Sequence, residues 1–144
     1  MSIHAFTDGA CRGNPGPGGW GCVIEQQGKI IKLNGFDSLT TNNRMELQAA
    51  ISALEYLSSE TNFSITTDSQ YVRLGITQWI TNWEKNNWRT ANKKPVKNVD
   101  LWKKLQLLTK NKDIKWHWVK GHSGHPQNEL ADHLANIAID EGIV

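Results

Sequence analysis

Short stretches in which apolar residues alternate with small or polar ones recur along this chain, as they do in half-buried β-strands. The first three stretches cover residues 3–7, 20–25 and 30–36. A glycine-rich segment at 13–19 and a tight connection at 26–29 separate them. Because such short connections join strands that run in opposite directions, the pattern predicts an antiparallel meander.

Apolar residues at helical spacing follow the meander and then alternate with two further strand patterns. The first helix is indicated by a stripe that comes after cap-forming polar residues and consists of Leu47, Ala50, Ile51, Leu54 and Leu57. Residues 63–67 and 114–118 have the pattern of a fourth and a fifth strand. Two more helical stripes, at 76–83 and 99–108, lie between those strands, and Pro126 suits the first turn of a last helix.

These elements predict an α/β fold in a single domain covering residues 1–144, with a five-stranded mixed sheet flanked by helices. A right-handed crossover through the first helix would bring strand four parallel to strand one, and strand five is expected to be parallel to both. The carboxyl ends of strands one, four and five would then share one edge of the sheet. Open α/β sheets bind their ligands at that edge.

Four acidic residues fall at this predicted edge. Asp8 follows strand one, Glu46 lies at the start of the first helix, Asp68 follows strand four, and Asp132 comes early in the last helix. Each has an ordinary alternative: a turn for Asp8, a capping box for Glu46, a helix cap for Asp68 and a solvated helix face for Asp132. Their coincidence at one edge favours a cluster of hard oxygen ligands, which suits Mg²⁺. Without a cation these carboxylates would repel one another, so a divalent ion is expected.

Composition narrows the class of protein. Hydrophobic residues make up 38% of the 144 positions and charged residues 21%, as in soluble globular proteins. No apolar run approaches the ~20 residues of a membrane span, so we expect no membrane partner. Cys11 and Cys22 lack the spacing of a zinc site and are interpreted as reduced thiols of a cytoplasmic protein. No association stripe stands out, so a monomer is expected.

The net charge of +2 conceals an uneven distribution. Residues 79–120 contain eleven Lys or Arg and three Asp or Glu, whereas the remainder contains five basic and eleven acidic residues. An acidic site beside a basic region would suit a polyanionic substrate, which the basic region would bind and the acidic site would cut. Ordinary unevenness of surface charge is the alternative.

Four motifs then stand in order along nearly the whole chain. They are Thr7-Asp8-Gly9-Ala10-Cys11 with Gly13-Asn14-Pro15-Gly16, Thr41-Asn42-Asn43-Arg44-Met45-Glu46-Leu47, Thr67-Asp68-Ser69-Gln70-Tyr71-Val72, and Gly121-His122-Ser123-Gly124-His125 leading to Asn128-Glu129-Leu130-Ala131-Asp132. Together they resemble the type 1 ribonuclease H family, most closely bacterial ribonuclease HI. The resemblance implies a ribonuclease H-like fold and an endonuclease that hydrolyses the RNA strand of RNA–DNA hybrids. It also implies Mg²⁺, with Mn²⁺ as a substitute, and products with 5′-phosphate and 3′-hydroxyl ends.

By this resemblance, Asp8, Glu46, Asp68 and Asp132 are catalytic residues that hold two metal ions when substrate is bound. Ions about 4 Å apart would activate the attacking water and stabilise the leaving 3′ oxygen. His122 resembles the loop histidine of the family, which is thought to carry a proton or to assist product departure. A plain surface histidine is the alternative, and His125 is interpreted as a helix-start residue.

The resemblance also implies substrate-binding residues. Those expected to contact the minor groove of the hybrid are Cys11, Asn14, Asn42 and Gln70. Thr41 and Asn82 resemble members of a pocket for a phosphate of the DNA strand, although Leu39 stands where many relatives carry an arginine. Residues 79–102 resemble a basic protrusion, with contacts from Lys85, Trp88 and Arg89. For the tryptophans at 79 and 83, simple packing into the core is the favoured interpretation.

Three other functions remain open from the sequence. A nuclease or transposase of the same fold could act on DNA alone, and cleavage of hybrid against duplex DNA would separate the two. A hybrid-binding module without catalysis would show no cleavage sensitive to EDTA. A purely structural domain would leave the converging carboxylates unexplained.

Overall fold

The sheet has five strands and places the first of them at its centre. In the computed structural model, which describes residues 2–120 and 125–143, the strands are β1 (Ile3–Cys11), β2 (Gly16–Gln26), β3 (Lys29–Thr40), β4 (Asn62–Thr67) and β5 (Asp113–Trp118). Their order across the sheet is β3-β2-β1-β4-β5. β1, β2 and β3 pair antiparallel, while β4 is parallel to both β1 and β5. The predicted mixed topology is therefore confirmed.

The strands of the meander are longer than the sequence pattern predicts. The stretch 13–19 was expected to be a turn, but β2 begins at Gly16, and Gly18 and Gly19 pair with Cys11 and Ala10. Glycines give no alternation of apolar side chains, so the pattern does not show this part of the strand. As a result Asp8 lies inside β1, opposite Gly21, and the prediction that it follows the strand is wrong.

Helices cover both faces of the sheet. They are α1 (Asn42–Tyr56), α2 (Gln70–Leu74), α3 (Ile80–Lys85), α4 (Val99–Thr109) and α5 (Pro126–Gly142), with a π-helical segment (Gly75–Trp79) joining α2 to α3. One core lies between α1, α4 and the sheet and includes Ala5 and Ile24. The second core lies under α5 and includes Phe6 and Val23. Neighbouring residues on β1 and on β2 thus point to opposite faces, as strand geometry requires. Within the described part of the chain, no helix combines the length and the apolar character needed to cross a membrane.

A cluster of aromatic rings closes the end of the molecule formed by the π-helical segment and α4. Trp102 is fully buried, and its ring lies 5.4 Å from that of Trp83 and 5.3 Å from that of Tyr71. Gly75 faces this ring so closely that a Cβ atom there would overlap it. Trp79 packs against Trp83 in a tilted arrangement, with ring centroids 5.8 Å apart. Both tryptophans therefore serve packing.

The polar segment 86–98, which we call the arm, leaves the core beside these rings. Its backbone has positive φ at Asn87, Trp88, Lys93 and Asn98 and a single β-bridge between Arg89 and Pro95. Most of its residues are exposed. At its end, Asn98 Nδ2 donates a hydrogen bond of 3.1 Å to the hydroxyl of Tyr71. The arm is therefore an irregular basic loop that is tied to the core at its base.

Candidate active site

Three of the four predicted carboxylates meet at the edge where β1 and β4 run towards their carboxyl ends. One oxygen each of Asp8, Glu46 and Asp68 lies within 4.8 Å of the others. Asp8 comes from the central strand, Glu46 from the second turn of α1, and Asp68 from the residue after β4. Asp8 and Glu46 are each only 6% exposed. The register between Thr7 of β1 and Thr67 of β4 brings the two aspartates side by side.

The backbone of Gly9 holds two of these carboxylates together. Its N–H donates to Asp8 Oδ1 at 2.9 Å and to Glu46 Oε1 at 2.5 Å. A Cβ atom on Gly9 would collide with the backbone of Met45 and Glu46, so only glycine lets α1 approach β1 this closely. The capping-box alternative for Glu46 is wrong, because Thr41 caps α1 and accepts from Arg44 N at 3.2 Å.

Asp68 is not used as a helix cap. The hydroxyl of Ser69 accepts from Val72 N at 3.1 Å and so caps α2. Asp68 Oδ1 is buried and has no hydrogen-bond partner among the described residues. An unsatisfied buried carboxylate oxygen is costly unless a cation or a proton meets it. The Asp68 carbonyl oxygen accepts from Trp118 Nε1 at 3.1 Å, which fixes the backbone here.

Asp132 lies beside this group but is not one of the three mutually close carboxylates. It occupies the second turn of α5 and is half-buried. Its charge contributes to raising the pKa of Asp8. The structure thus brings Asp132 next to Asp8 at the rim of the cluster, rather than on a face of α5 remote from it.

Crowding of these acids perturbs their protonation. Burial, followed by the charge of Asp68, raises the pKa of Asp8 to about 8, with a further contribution from Asp132. Burial and then the charges of Asp8 and Asp68 raise the pKa of Glu46 well above its ordinary value. The charged cluster is therefore unfavourable without a cation, and a divalent ion would reverse the sign of this local field.

The donor set fits a hard divalent cation. All three close ligands are carboxylate oxygens, and the Asp68 carboxylate has a buried oxygen, Oδ1, with no hydrogen-bond partner among the described residues. Such oxygens select Mg²⁺, Mn²⁺ or Ca²⁺ over metals that prefer thiolate or imidazole. The nearby Cys11 is a free thiol whose Sγ contacts backbone carbonyl groups at Gly13, Gly16 and Thr40.

The loop histidine lies outside the described residues. His122, like Gly121 and Gly124, falls in the stretch that the structure does not describe. His125 is described, and its ring Nδ1 accepts from Asn128 N at 3.4 Å, which makes it the cap of α5.

The polar residues expected to contact the minor groove lie around the carboxylates. Asn14 Oδ1 accepts from Asn42 N at 3.0 Å, so the loop between β1 and β2 is joined to the first residue of α1. Gln70 is exposed at the first position of α2, and Cys11 ends β1 with partial exposure. All four predicted residues therefore stand on segments that border the cluster: the end of β1, its following loop, and the starts of α1 and α2.

The predicted phosphate pocket and the arm residues occupy separate elements. Thr41 caps α1, and Asn82 is exposed on α3, whose last residue is the exposed Lys85. Arg89 is exposed on the arm. Trp88 is half-buried and packs against Trp83 at 6.4 Å, so its ring serves packing at the base of the arm.

Sequence reasoning missed two residues of this site. The Gly9 N–H joins two carboxylates, but glycine has no side chain that would mark this role in the sequence. Its position directly after Asp8 could still have suggested that another backbone segment approaches closely there. Asn136 donates to Asp132 Oδ1 at 3.3 Å. Its position four residues after Asp132 on a predicted helix is a signal that could have found it.

A mixed sheet in this order, with an acidic cluster across β1, β4 and α1, defines the class of ribonuclease H-like proteins. A family model described as RNase H matches residues 1–140. A ribonuclease H from Afipia carboxidovorans is 61% identical over 140 residues, covering 96% of this chain and 93% of the relative. The crystal structure of LC9-RNase H1, a type 1 RNase H with the type 2 active-site motif, matches at a TM-score of 0.84 with 34% identity, over 96% of this chain and 72% of that one. LC11-RNase H1, solved in complex with an RNA/DNA hybrid, matches at a TM-score of 0.77 with 25% identity, over 99% of this chain and 100% of that one.

The chain belongs to the type 1 ribonuclease H family and is a ribonuclease H enzyme. The expected family and fold class are thereby confirmed.

Proposed function

We propose that this protein is an endonuclease that hydrolyses the RNA strand of RNA–DNA hybrids and leaves 5′-phosphate and 3′-hydroxyl ends. The observation that carries the proposal is the group of Asp8, Glu46 and Asp68, with one buried carboxylate oxygen left without a partner among the described residues. The names of the relatives and the hybrid bound to LC11-RNase H1 support the substrate class.

The carboxylates would hold Mg²⁺, or Mn²⁺ as a substitute, with Asp132 completing the set when substrate is bound. Two such ions would supply Lewis acidity to lower the pKa of the attacking water and to stabilise the leaving 3′ oxygen. Glu46 and Asp8 are held in place by the Gly9 N–H, so their oxygens are oriented before substrate arrives. Burial of both side chains excludes bulk water from their side of the site.

We assign the preference for a hybrid over duplex DNA to the small polar groups around the carboxylate cluster. An A-like duplex exposes its 2′-hydroxyl groups in a wide minor groove, where amide side chains can donate and accept. Asn14, Asn42 and Gln70 are exposed beside the carboxylates and supply such groups. The partly exposed backbone at Cys11 adds a hydrogen-bonding edge between them.

The arm and α3 would hold the duplex through its phosphates. Lys85 and Arg89 are exposed and free to contact a polyanion, and the contribution of such contacts falls with added salt. Thr41 and Asn82 are assigned to a DNA-strand phosphate, with the exposed Leu39 contributing no charge there. Trp88 is half-buried and packs against Trp83 beneath this surface, and its exposed part is assigned to contact with the substrate.

The direct test is digestion of an RNA–DNA hybrid labelled on either strand, with Mg²⁺, with Mn²⁺ and with EDTA. We expect cleavage of the RNA strand alone, abolished by EDTA and by Asp8→Asn while hybrid binding persists. Cleavage of the DNA strand, or of duplex DNA at a similar rate, would contradict the substrate assignment. Cleavage by Asp8→Asn at near wild-type rate would contradict the metal assignment.

Three further assignments accompany the proposal. His122 is proposed to carry a proton or assist product departure, and His122→Ala should lower kcat with little change in KM. A monomer is proposed, which light scattering on the eluted protein would check. A cytoplasmic location is proposed on the two free cysteines and would be checked by cell fractionation.

A further inference from the structure

Asn136 contacts the one carboxylate of the site that lies outside the closely packed group. Its Nδ2 donates to Asp132 Oδ1 at 3.3 Å and to the Asp132 carbonyl oxygen at 3.0 Å. Both residues are half-buried on α5, one helical turn apart. Asp8 and Glu46 both accept a hydrogen bond from the Gly9 N–H. The Asp132 carboxylate instead accepts one from Asn136, on its own helix.

The chemistry of Arg12 fixes which way the Asn136 amide faces. Arg12 Nη2 lies 3.4 Å from the main-chain carbonyl oxygen of Asn136 and 3.5 Å from the side-chain oxygen Oδ1 of the same residue. A guanidinium group only donates hydrogen bonds, so the amide oxygen must face Arg12 and the NH₂ group must face Asp132. Arg12 Nη1 is itself held by Asp140 Oδ1 at 2.6 Å. The contacts therefore run in one order from Asp140 through Arg12 and Asn136 to Asp132.

We propose that Asn136 is a positioning residue for the Asp132 carboxylate and that Arg12 keeps the Asn136 amide in the orientation this requires. With Oδ1 held by the amide, rotation of the carboxylate is restricted and its other oxygen remains available to a cation held at the cluster. Asp132 sits at the half-buried rim, where a free side chain would sample several rotamers. The inference rests on the proposed function, because it takes Asp132 as a metal ligand.

Partners that orient a ligating side chain typically change metal affinity by about 10–100-fold when they are removed. We therefore expect Asn136→Ala to weaken Mn²⁺ binding about 10-fold, at the low end of that range. Binding would be measured by calorimetry on the protein bound to a short hybrid whose RNA strand keeps its 2′-hydroxyl groups and has non-hydrolysable analogues of its phosphodiester linkages. With a cleavable hybrid, kcat should fall by a similar factor while KM for the hybrid stays within about twofold, since Asn136 is assigned to Asp132 and not to the substrate.

Two variants separate the orienting role of Arg12 from its ion pair. Arg12→Ala should also weaken Mn²⁺ binding, but by less than Asn136→Ala. Without Arg12 the Asn136 amide is free to turn, yet its NH₂ group can still face Asp132 in one of the two orientations. Asp140→Ala removes only an exposed ion pair, in which the two side chains are 41% and 62% exposed, and should leave Mn²⁺ affinity unchanged. If Asp140→Ala lowered the affinity as much as Arg12→Ala, the effect would belong to the ion pair, and the orienting role of Arg12 would be wrong.

A double-mutant cycle with Asp132→Ala decides the role of Asn136. If Asn136 acts through Asp132, Asn136→Ala should have no further effect on Mn²⁺ affinity once Asp132 is alanine. A loss of equal size in both backgrounds would indicate a general structural effect and overturn the inference. If Asp132→Ala alone left Mn²⁺ affinity unchanged, the ligand role of Asp132 in the proposed function would fail instead. Thermal unfolding of each variant checks that the fold persists.

Discussion

Asp8→Asn should make the metal-free protein more stable while it removes activity. Asp8 is buried against two other carboxylates, and its pKa is raised from 3.8 to about 8. Between those pH values the folded protein retains a proton that the unfolded chain has lost. The free energy of unfolding of the wild type therefore falls as pH rises from about 4 to about 8, and the full penalty is present above pH 8.

The size of the effect follows from the same shift. Four pKa units correspond to roughly 6 kcal/mol as an upper limit. Entry of water and relaxation of the side chains reduce this, so we expect a gain of about 2–4 kcal/mol for Asp8→Asn at pH 8 and little gain at pH 4. The asparagine is neutral at both pH values and retains an oxygen for the Gly9 N–H.

Urea unfolding in EDTA at pH 4, 6 and 8 would measure this difference. Asp113→Asn is a matched control, because it makes the same chemical change at an exposed position at the start of β5. Saturating Mg²⁺ should stabilise the wild type more than Asp8→Asn, since the variant lacks one ligand. If Asp8→Asn were equally stable or less stable than wild type at pH 8, or if its effect did not change with pH, the carboxylates would not be in the crowded, buried arrangement described here.

Three other changes test separate parts of the site. Gly9→Ala should lower kcat by at least about 10-fold, because the added methyl group pushes α1 and Glu46 away from β1; an unchanged kcat would contradict the close approach. Lys85→Ala with Arg89→Ala should raise KM with little change in kcat and flatten the dependence of binding on salt, and an unchanged salt slope would remove these residues from the binding surface. Leu39→Arg, at a side chain that is 71% exposed, should tighten hybrid binding at low salt, by about 1 kcal/mol at most; equal affinity would show that this position does not face the duplex.

Much of the fold could be predicted because the apolar periodicity and the short connections leave few topologies. The right-handed crossover and the meander together place strands one, four and five in parallel, as the structure has them. The glycine-rich start of β2 could not be read from the pattern. In that part of β2, glycine permits close packing of α5 on the strand. The helix lies so near Gly19 and Gly21 that neither residue has room for a Cβ atom.

The candidate site was predictable in its residue types but not in its inner geometry. The shared sheet edge explains why Asp8 and Asp68 meet. Asp8 lies in β1, and Asp68 directly follows β4, the parallel strand next to it. Which side chains cap the helices was harder to foresee, since Asp68 and Ser69 are both good caps and only the structure shows that the serine is used. The contact between Arg12 and Asn136 joins residues 124 positions apart, and no local spacing could have indicated it.

The aromatic rings at the base of the arm have a consequence for how this protein can diverge. Trp102 and Tyr71 close the core beneath the arm, and from the arm itself mainly Val96 is buried in that core. The charge of the arm comes from four exposed basic residues that lie outside that core, namely Arg89, Lys93, Lys94 and Lys97. Selection can therefore retune attraction to polyanions by exchanging those surface residues one at a time, while the stability of the catalytic sheet is left intact.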